Sequence, residues 1–314
     1  MPENKYTIFS GSSHPELATE LARALKKKPG EIKLSTFSCG EKYVALQQTI
    51  RGQEVFILQT CRDQFVNEDY IELFLMINAA KLSFAEKVHV ILPHFGYARQ
   101  DKVHVPREPI SAKVMADLLV TAGADHVITF ELHSDQNQAF FDVPVDNVIV
   151  HRLFSDYFKK KNLKNVTVVS PDAGGAKNAK RFADDLGAPI AILHKKRPEH
   201  NQSAVTHVVG DVKGRTCIVY DDMIDTAGSV ANAAEALKGQ GAKDLYLAAT
   251  HPIFSGPAVK RLSKAGYKEV VVTNTMPLPK EKKFKGLKQI SIAPLLANII
   301  SSVTQHKSAS KWFY

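Results

Sequence analysis

The sequence predicts an α/β fold of two consecutive domains, each built on a mainly parallel sheet flanked by helices. Short apolar runs alternate with amphipathic helical stretches along the chain, the pattern of α/β layers. That alternation runs once and then restarts near residues 146–150, dividing the chain into 1–148 and 149–314. At 314 residues the chain is also long for a single hydrophobic core.

In the first half, Tyr6-Thr7-Ile8-Phe9-Ser10 reads as a strand and the following G-S-S-H-P as a turn. Residues 16–27 form a helix with Leu17, Leu21 and Leu25 on one face. Strands at 32–37, 43–50 and 54–59 lead to a helix at 67–81 and a strand at 88–92. A helix at 111–122 and a strand at 126–130 complete the half. The second half opens with a helix at 153–161, a strand at 166–169, a helix at 177–186 and a strand at 190–193. It continues with a strand at 217–220, a helix at 230–238, a strand at 245–250, a helix at 257–264 and a strand at 270–274.

Bulk properties exclude several classes. Hydrophobic content of 44% and charged content of 23% are those of an ordinary globular chain. Cys39, Cys61 and Cys217 stand far apart with no C-x-x-C, which argues against a zinc site or a disulfide framework. The first residues lack the basic-then-apolar layout of a secretory signal, and no apolar run approaches a membrane span. A cytoplasmic location is therefore expected. The net charge of +9 and pI near 9.3 admit nucleic acid as a partner, but the lysine runs are scattered. A basic balance also suits polyphosphate substrates, whose local concentration it raises.

Five stretches stand where chemistry gathers. In C-I-V-Y-D-D-M-I-D-T-A-G-S-V, an apolar strand runs into Asp221 and Asp222. The polar turn Asp225, Thr226, Ala227, Gly228, Ser229 follows, and a helix begins near Val230. Backbone N–H groups and hydroxyls at the positive end of a helix suit a phosphate. The paired acids would repel that phosphate and instead suit sugar hydroxyls or a metal. Together they describe a ribose phosphate; an ordinary capped turn is the plainer alternative. The long segment 93–113 is charged and punctuated by prolines, and carries Arg99, Gln100, Asp101, Lys102 and Arg107. It reads either as a surface loop or as a segment that closes over polyphosphate. His133 directly follows the 126–130 strand, where ligands gather in open α/β sheets, as a metal ligand, a phosphate contact or a plain loop histidine. Asp172, ahead of Gly174 and Gly175, reads equally as a Mg²⁺ ligand or a helix cap. His194-Lys195-Lys196-Arg197 ends a strand with a cluster of basic residues.

The D-D-M-I-D-T-A-G-S string closely resembles the phosphoribosyl-diphosphate loop of type I phosphoribosyltransferases and ribose-phosphate diphosphokinases. Y-A-R-Q-D-K followed by R-E-P-I-S-A-K matches the flexible catalytic loop of the diphosphokinases, which the transferases do not carry. With F-S-C-G-E and H-K-K-R, the resemblance covers essentially the whole chain in the family's order. It implies two phosphoribosyltransferase-like domains, with the C-terminal tail packing back on the first. It also implies transfer of the diphosphoryl group of ATP to the 1-hydroxyl of ribose 5-phosphate, giving 5-phosphoribosyl 1-diphosphate and AMP.

Residue by residue, the resemblance assigns Lys195, Arg197 and Arg99 to catalysis. ATP would be held by Phe37, Glu41, Arg99, Gln100, Asp101, Lys102, Arg107 and His133. Ribose 5-phosphate would be held by Asp221, Asp222, Asp225, Thr226, Ala227, Gly228 and Ser229, and Mg²⁺ by His133 and Asp172. Dimers assembling to a hexamer, activation by inorganic phosphate and inhibition by ADP are implied too, with no membrane or nucleic-acid partner. The chain departs from the family in places. Cys39 replaces the usual Asp or Asn, and E-L-H and Q-N-Q-A-F-F replace D-L-H and Q-I-Q-G-F-F, at Glu131, Asn137 and Ala139. A phosphoribosyltransferase explains the sugar loop but not the other strings. A non-catalytic synthetase-associated subunit is the remaining alternative, although such proteins lose the catalytic-loop residues that this chain keeps.

Overall fold

The structure, a computed structural model, describes residues 6–196 and 204–312. The chain forms two compact units. One comprises Met1–Ile149 with Thr275–Pro277 and Ser291–Tyr314; the other comprises Val150–Asn274 with Leu278–Ile290. Strands and helices are numbered in chain order.

The first unit contains β1 (Tyr6–Ser10), α1 (Pro15–Leu25), β2 (Ile32–Thr36), β3 (Lys42–Leu46), β4 (Glu54–Leu58) and α2 (Val66–Leu82). Next come β5 (Lys87–Leu92), α3 (Ser111–Ala122), β6 (His126–Phe130), a 3₁₀ turn (Asp135–Phe140) and β7 (Val145–Val148). The sheet order is β1-β4-β5-β6-β7, with every pair parallel. The apolar runs of β4 and β5 are buried almost throughout, as expected of strands covered on both faces. Pro15 opens α1, His14 Nδ1 accepts from the Leu17 N–H at 3.3 Å, and Leu17 and Leu21 face the interior.

Two sequence expectations change here. The strands expected at 32–37 and 43–50 form an antiparallel ribbon of their own, β2 with β3, outside the main sheet. Residues 293–304, to which the sequence reading assigns no element, form a helix of this unit, placed below.

In the second unit lie α4 (His151–Lys160), β8 (Val166–Ser170), α5 (Ala176–Leu186), β9 (Ile190–Lys196), β10 (Ala204–Val209) and β11 (Thr216–Ile224). These are followed by α6 (Gly228–Gly239), β12 (Asp244–Pro252), α7 (Ala258–Ala265), β13 (Glu269–Thr273) and β14 (Leu287–Ile290). The sheet order is β10-β9-β8-β11-β12-β13-β14, parallel except for the β9/β10 pair. The helices cover both faces, and the strand period of two sorts the side chains between them. Phe154 of α4 and Phe182 of α5 pack against Tyr220, and Phe158 of α4 packs against Phe182. On the other face, Val219 and Leu247 pack with Ala233, Leu237 and Leu262 of α6 and α7. The last helix, α8 (Ala293–Thr304), returns to the first unit, where it packs against α1.

Candidate active site

In the first unit, the residues singled out from sequence follow the C-terminal ends of parallel strands or lie on the ribbon tip. The segment after β5 has a fixed root and an exposed tip. Phe95 is in the core, the Tyr70 hydroxyl donates to the Gly96 carbonyl at 2.9 Å, and the Tyr97 hydroxyl donates to Asn67 Oδ1 at 2.5 Å. Asn137 Nδ2 donates to the Ala98 carbonyl at 3.0 Å. Beyond that point Arg99, Gln100, Lys102 and Arg107 are exposed and Asp101 is half-buried. Gln100 is tied to the segment's far end: its Oε1 accepts from the Ser111 hydroxyl, and its carbonyl accepts from the Ala112 N–H at 3.2 Å. Within the tip, the Glu108 carboxylate accepts from the His104 and Val105 N–H groups at 3.0 and 3.1 Å, which holds its pKa below the usual carboxylate value. The segment therefore presents cations on a short, internally braced arc.

His133 is exposed just past β6, and the Leu132 N–H beside it is fixed by Asn147 Oδ1 at 3.0 Å. Phe37 and Glu41 lie at the tip of the β2–β3 ribbon, where the Phe37 N–H donates to the Glu41 carbonyl at 2.8 Å. The Phe37 ring is 53% exposed, meeting Tyr43 edge-on at 5.7 Å, so one face remains for a planar ligand.

The second unit brings together the acids and the turn at 225–229. The paired acids were expected after a strand ending at Tyr220. Instead β11 continues through Asp221 and Asp222 to Ile224, because the equally long β12 pairs with it as far as Pro252. The Asp222 N–H donates to Asp221 Oδ1 at 3.0 Å. Burial pushes the Asp221 carboxyl well above its ordinary pKa, and the nearby charges of Asp222 and Asp172 push the same way. Asp172, after β8, accepts from the Gly175 N–H at 3.1 Å, and a Cβ on Gly175 would stand 3.0 Å from Ser170 Oγ. That bond closes the turn ahead of α5, whose N-cap residue Gly175 has no side-chain cap, so Asp172 orders the loop without capping the helix.

The turn after β11 is tighter than the sequence suggests. α6 starts at Gly228, so Gly228 and Ser229 belong to its first turn. Ala227 precedes it at φ +58°, a left-handed conformation unusual for alanine and frequent at ligand clamps. The Ala231 N–H bonds to the Ala227 carbonyl at 3.1 Å, closing the first turn of α6. A helix start of this kind attracts an anion.

Lys195 lies within β9, which extends past the expected end at Leu193 and pairs Lys195 with Val205 of β10. Arg197 lies outside the described residues. Among the described residues, no three His, Cys, Asp or Glu side chains converge to hold a metal ion by themselves. Mg²⁺ asks for less, one or two carboxylates with water and substrate phosphate completing the shell. The hard oxygen donors of Asp172, Asp221 and Asp222 fit that requirement, and their mutual repulsion would be relieved by a cation. His133 belongs to the other unit.

Sequence reasoning missed the residues that hold these loops: Tyr70, Tyr97 and Asn137 in the first unit, Ser255 and Arg261 in the second. Tyr70 carried no usable signal, being an ordinary aromatic on a helix, and Tyr97 opened the Y-A-R-Q-D-K string without any sign of its bracing role. Asn137 stood out only as a departure from a pattern.

Comparison with known proteins agrees with this geometry. A family model described as the N-terminal domain of ribose phosphate pyrophosphokinase matches residues 6–123, and one described as a phosphoribosyl synthetase-associated domain matches 201–314. The chain is 45% identical over 306 residues to a ribose-phosphate pyrophosphokinase of Bacillus subtilis, covering 98% of this chain and 96% of the relative. It is also 45% identical over 310 residues to one from Clostridium perfringens, covering 98% and 97%. The crystal structure of phosphoribosylpyrophosphate synthetase from Mycobacterium smegmatis superposes with a TM-score of 0.91 at 44% identity, covering 96% of this chain and 99% of that one.

Proposed function

The chain belongs to the ribose-phosphate pyrophosphokinase family, so it is an enzyme of diphosphoryl transfer from ATP to ribose 5-phosphate, and we propose that its two units divide those substrates. The observation that carries the proposal is the β11–α6 junction, with two carboxylates at the strand end and a left-handed residue opening a helix. In this reading, the N–H groups of Gly228 and Ser229 and the hydroxyls of Thr226 and Ser229 bind the sugar phosphate. Asp221, Asp222 and Asp225 accept from the ribose hydroxyls, which orients the 1-hydroxyl toward the β-phosphorus.

ATP falls to the first unit. The exposed ring of Phe37 stacks on the base and Glu41 accepts from it, while Arg99, Gln100, Asp101, Lys102, Arg107 and His133 engage the phosphates. Arg99, Lys195 and Arg197 neutralise the diphosphoryl group in transit. Removing one such contact commonly costs about 10²–10³ in turnover. Asp172 in the second unit and His133 in the first are each proposed as a Mg²⁺ ligand, and the cation would supply charge neutralisation on the phosphates. No side chain is an obvious general base, so positioning and electrostatics carry the chemistry.

The family resemblance supports further parts of the proposal: a cytoplasmic enzyme, dimers assembling to a hexamer, activation by inorganic phosphate and inhibition by ADP. Among the described residues no helix is long and apolar enough to cross a membrane. The test is AMP formation from ATP and Mg²⁺, with and without ribose 5-phosphate, while phosphate is titrated. Sugar-dependent AMP release is expected. Folded protein that releases none at any phosphate level would instead be a non-catalytic partner of an active synthetase.

A further inference from the structure

We propose that the segment 253–261, between β12 and α7 and into that helix, clamps the sugar-phosphate turn, with Ser255 and Arg261 as positioning residues for ribose 5-phosphate. The proposal rests on the assignment of that turn to the sugar phosphate. Three consecutive carbonyls leave β11 for the turn, and all three accept from this one segment. Ile224 accepts from the Phe254 N–H at 2.9 Å and Asp225 from the Ser255 N–H at 3.1 Å. Thr226 accepts from Arg261 Nη1, also at 2.9 Å. In addition, the Ser255 hydroxyl donates to Asp225 Oδ1, which fixes the carboxylate as well as its backbone.

The clamp is itself anchored. Phe254 is 2% exposed and belongs to the core of the second unit, as do Ala258 and Leu262 of α7. The same core takes in Val230 and Ala233 of α6, and the Tyr267 hydroxyl after α7 donates to the Val230 carbonyl at 2.6 Å. The turn and its clamp are therefore held on two helices packed together.

Two consequences bear on the ligand. First, a left-handed alanine persists only where its surroundings over-determine it, and the bonds to Asp225 and Thr226, immediately before Ala227, provide that. Tying these carbonyls to the clamp fixes the peptide planes that lead into the N–H groups of Gly228 and Ser229. Second, Arg261 Nη1 would stand 3.6 Å from a Cβ on Gly228, so the guanidinium lies across the start of α6. A positive charge there adds to the helix dipole in attracting a phosphate. An ordinary loop contact would stabilise the unit without favouring either substrate. A clamp on this turn acts on the sugar phosphate alone.

The test uses the full chain with Ser255→Ala, Arg261→Met and Arg261→Lys. Affinity for ribose 5-phosphate is measured by calorimetry, KM is measured separately for each substrate, and thermal stability is recorded. Arg261→Met and Ser255→Ala should each weaken ribose 5-phosphate binding about tenfold, the scale of losing one hydrogen bond to a charged or charge-orienting group. The KM for ATP and the Tm should stay as they were, and Arg261→Lys, which keeps a charge and a donor, should recover most of the affinity. Unchanged sugar affinity in both Ser255→Ala and Arg261→Met would overturn the proposal. So would an equal loss for both substrates accompanied by a lower Tm, since that describes general loosening. Thr226→Val and Ser229→Ala test the underlying assignment. If they weaken sugar binding and the clamp variants do not, the clamp alone is wrong. If they too leave sugar binding intact, the turn is not the sugar site and the clamp falls with it.

Discussion

Asn137 illustrates what a single residue contributes. It has no solvent exposure, its amide nitrogen supports the Ala98 carbonyl just before Arg99, and its Oδ1 has no hydrogen-bond partner among the described residues. Burying an amide oxygen unpaired costs about 1–3 kcal/mol. The bond it accompanies braces the root of the loop proposed to engage the ATP phosphates. Asn137→Asp keeps the shape but turns an acceptor toward the Ala98 carbonyl in a dry site. It should lower stability by about 3 kcal/mol at neutral pH, read from denaturant midpoints. Asn137→Ile should stay within about 1 kcal/mol, because the lost bond and the relieved oxygen offset each other. An aspartate variant as stable as the parent would show that water reaches the site.

At the scale of elements, the sheet of the first unit separates its two ends. The loops assigned to ATP phosphates follow the C-terminal ends of β5 and β6. Near the opposite ends, a row of titratable groups crosses four neighbouring strands. Glu54 Oε2 lies 3.5 Å from His89 Nε2, His89 Nδ1 lies 3.0 Å from His126 Nδ1, and His126 Nε2 lies 3.3 Å from Asp146 Oδ2. His89 also stacks on Phe56 at 4.4 Å. Burial, then His126 and Lys87, push the His89 pKa from 6.5 down to about 3, against a smaller opposite effect of Asp125. The folded state thus keeps His89 neutral where the unfolded chain would protonate it. Above about pH 6.5 the two states bind no different number of protons here. Below it stability falls, by up to about 1.4 kcal/mol per pH unit, until the folded form protonates near pH 3. His89→Gln, which does not titrate, should show a flatter loss of stability between pH 6.5 and 4. Equal slopes for the two proteins would place the acid sensitivity elsewhere.

At the scale of the whole molecule, the chain does not finish one unit before starting the other. Residues 275–277 and 291–314 belong with the first unit, and α8 packs there against α1, where the Ser291 hydroxyl bonds to the Glu20 carboxylate. Leu295, Leu296, Ile299 and Ile300 are buried, so α8 is part of the core and not an appendage. Near the chain end, the Trp312 carbonyl accepts from the Ile149 N–H at 3.2 Å, at the last residue of the unit's main span. Deleting residues 291–314 should abolish cooperative unfolding of the first unit while leaving that of the second. Deleting only 312–314 should lower thermal stability or shift sedimentation toward smaller species. A truncation at 290 with both unfolding transitions intact would show that α8 is dispensable.

Much of this was legible in the residues themselves. The alternation of strands and helices predicted the α/β class, and the D-D-M-I-D-T-A-G-S and Y-A-R-Q-D-K strings pointed to the chemistry before any contact was known. These are local signals, because a strand end, a turn and a helix start are specified by neighbours in the chain. Partnerships across long separations were not legible. Asn137 reaches Ala98, Ser255 and Arg261 reach residues 225–226, and β11 runs past Tyr220 because a strand begun at Asp244 continues beside it. The ribbon of β2 and β3 left the main sheet although its residues read as ordinary strands. By itself, then, the sequence determined the class of fold and the chemistry, and it singled out the loops proposed to carry that chemistry. Only the tertiary structure decided what holds those loops in shape, because hydrogen bonds and packing between distant segments leave no periodicity in either segment alone.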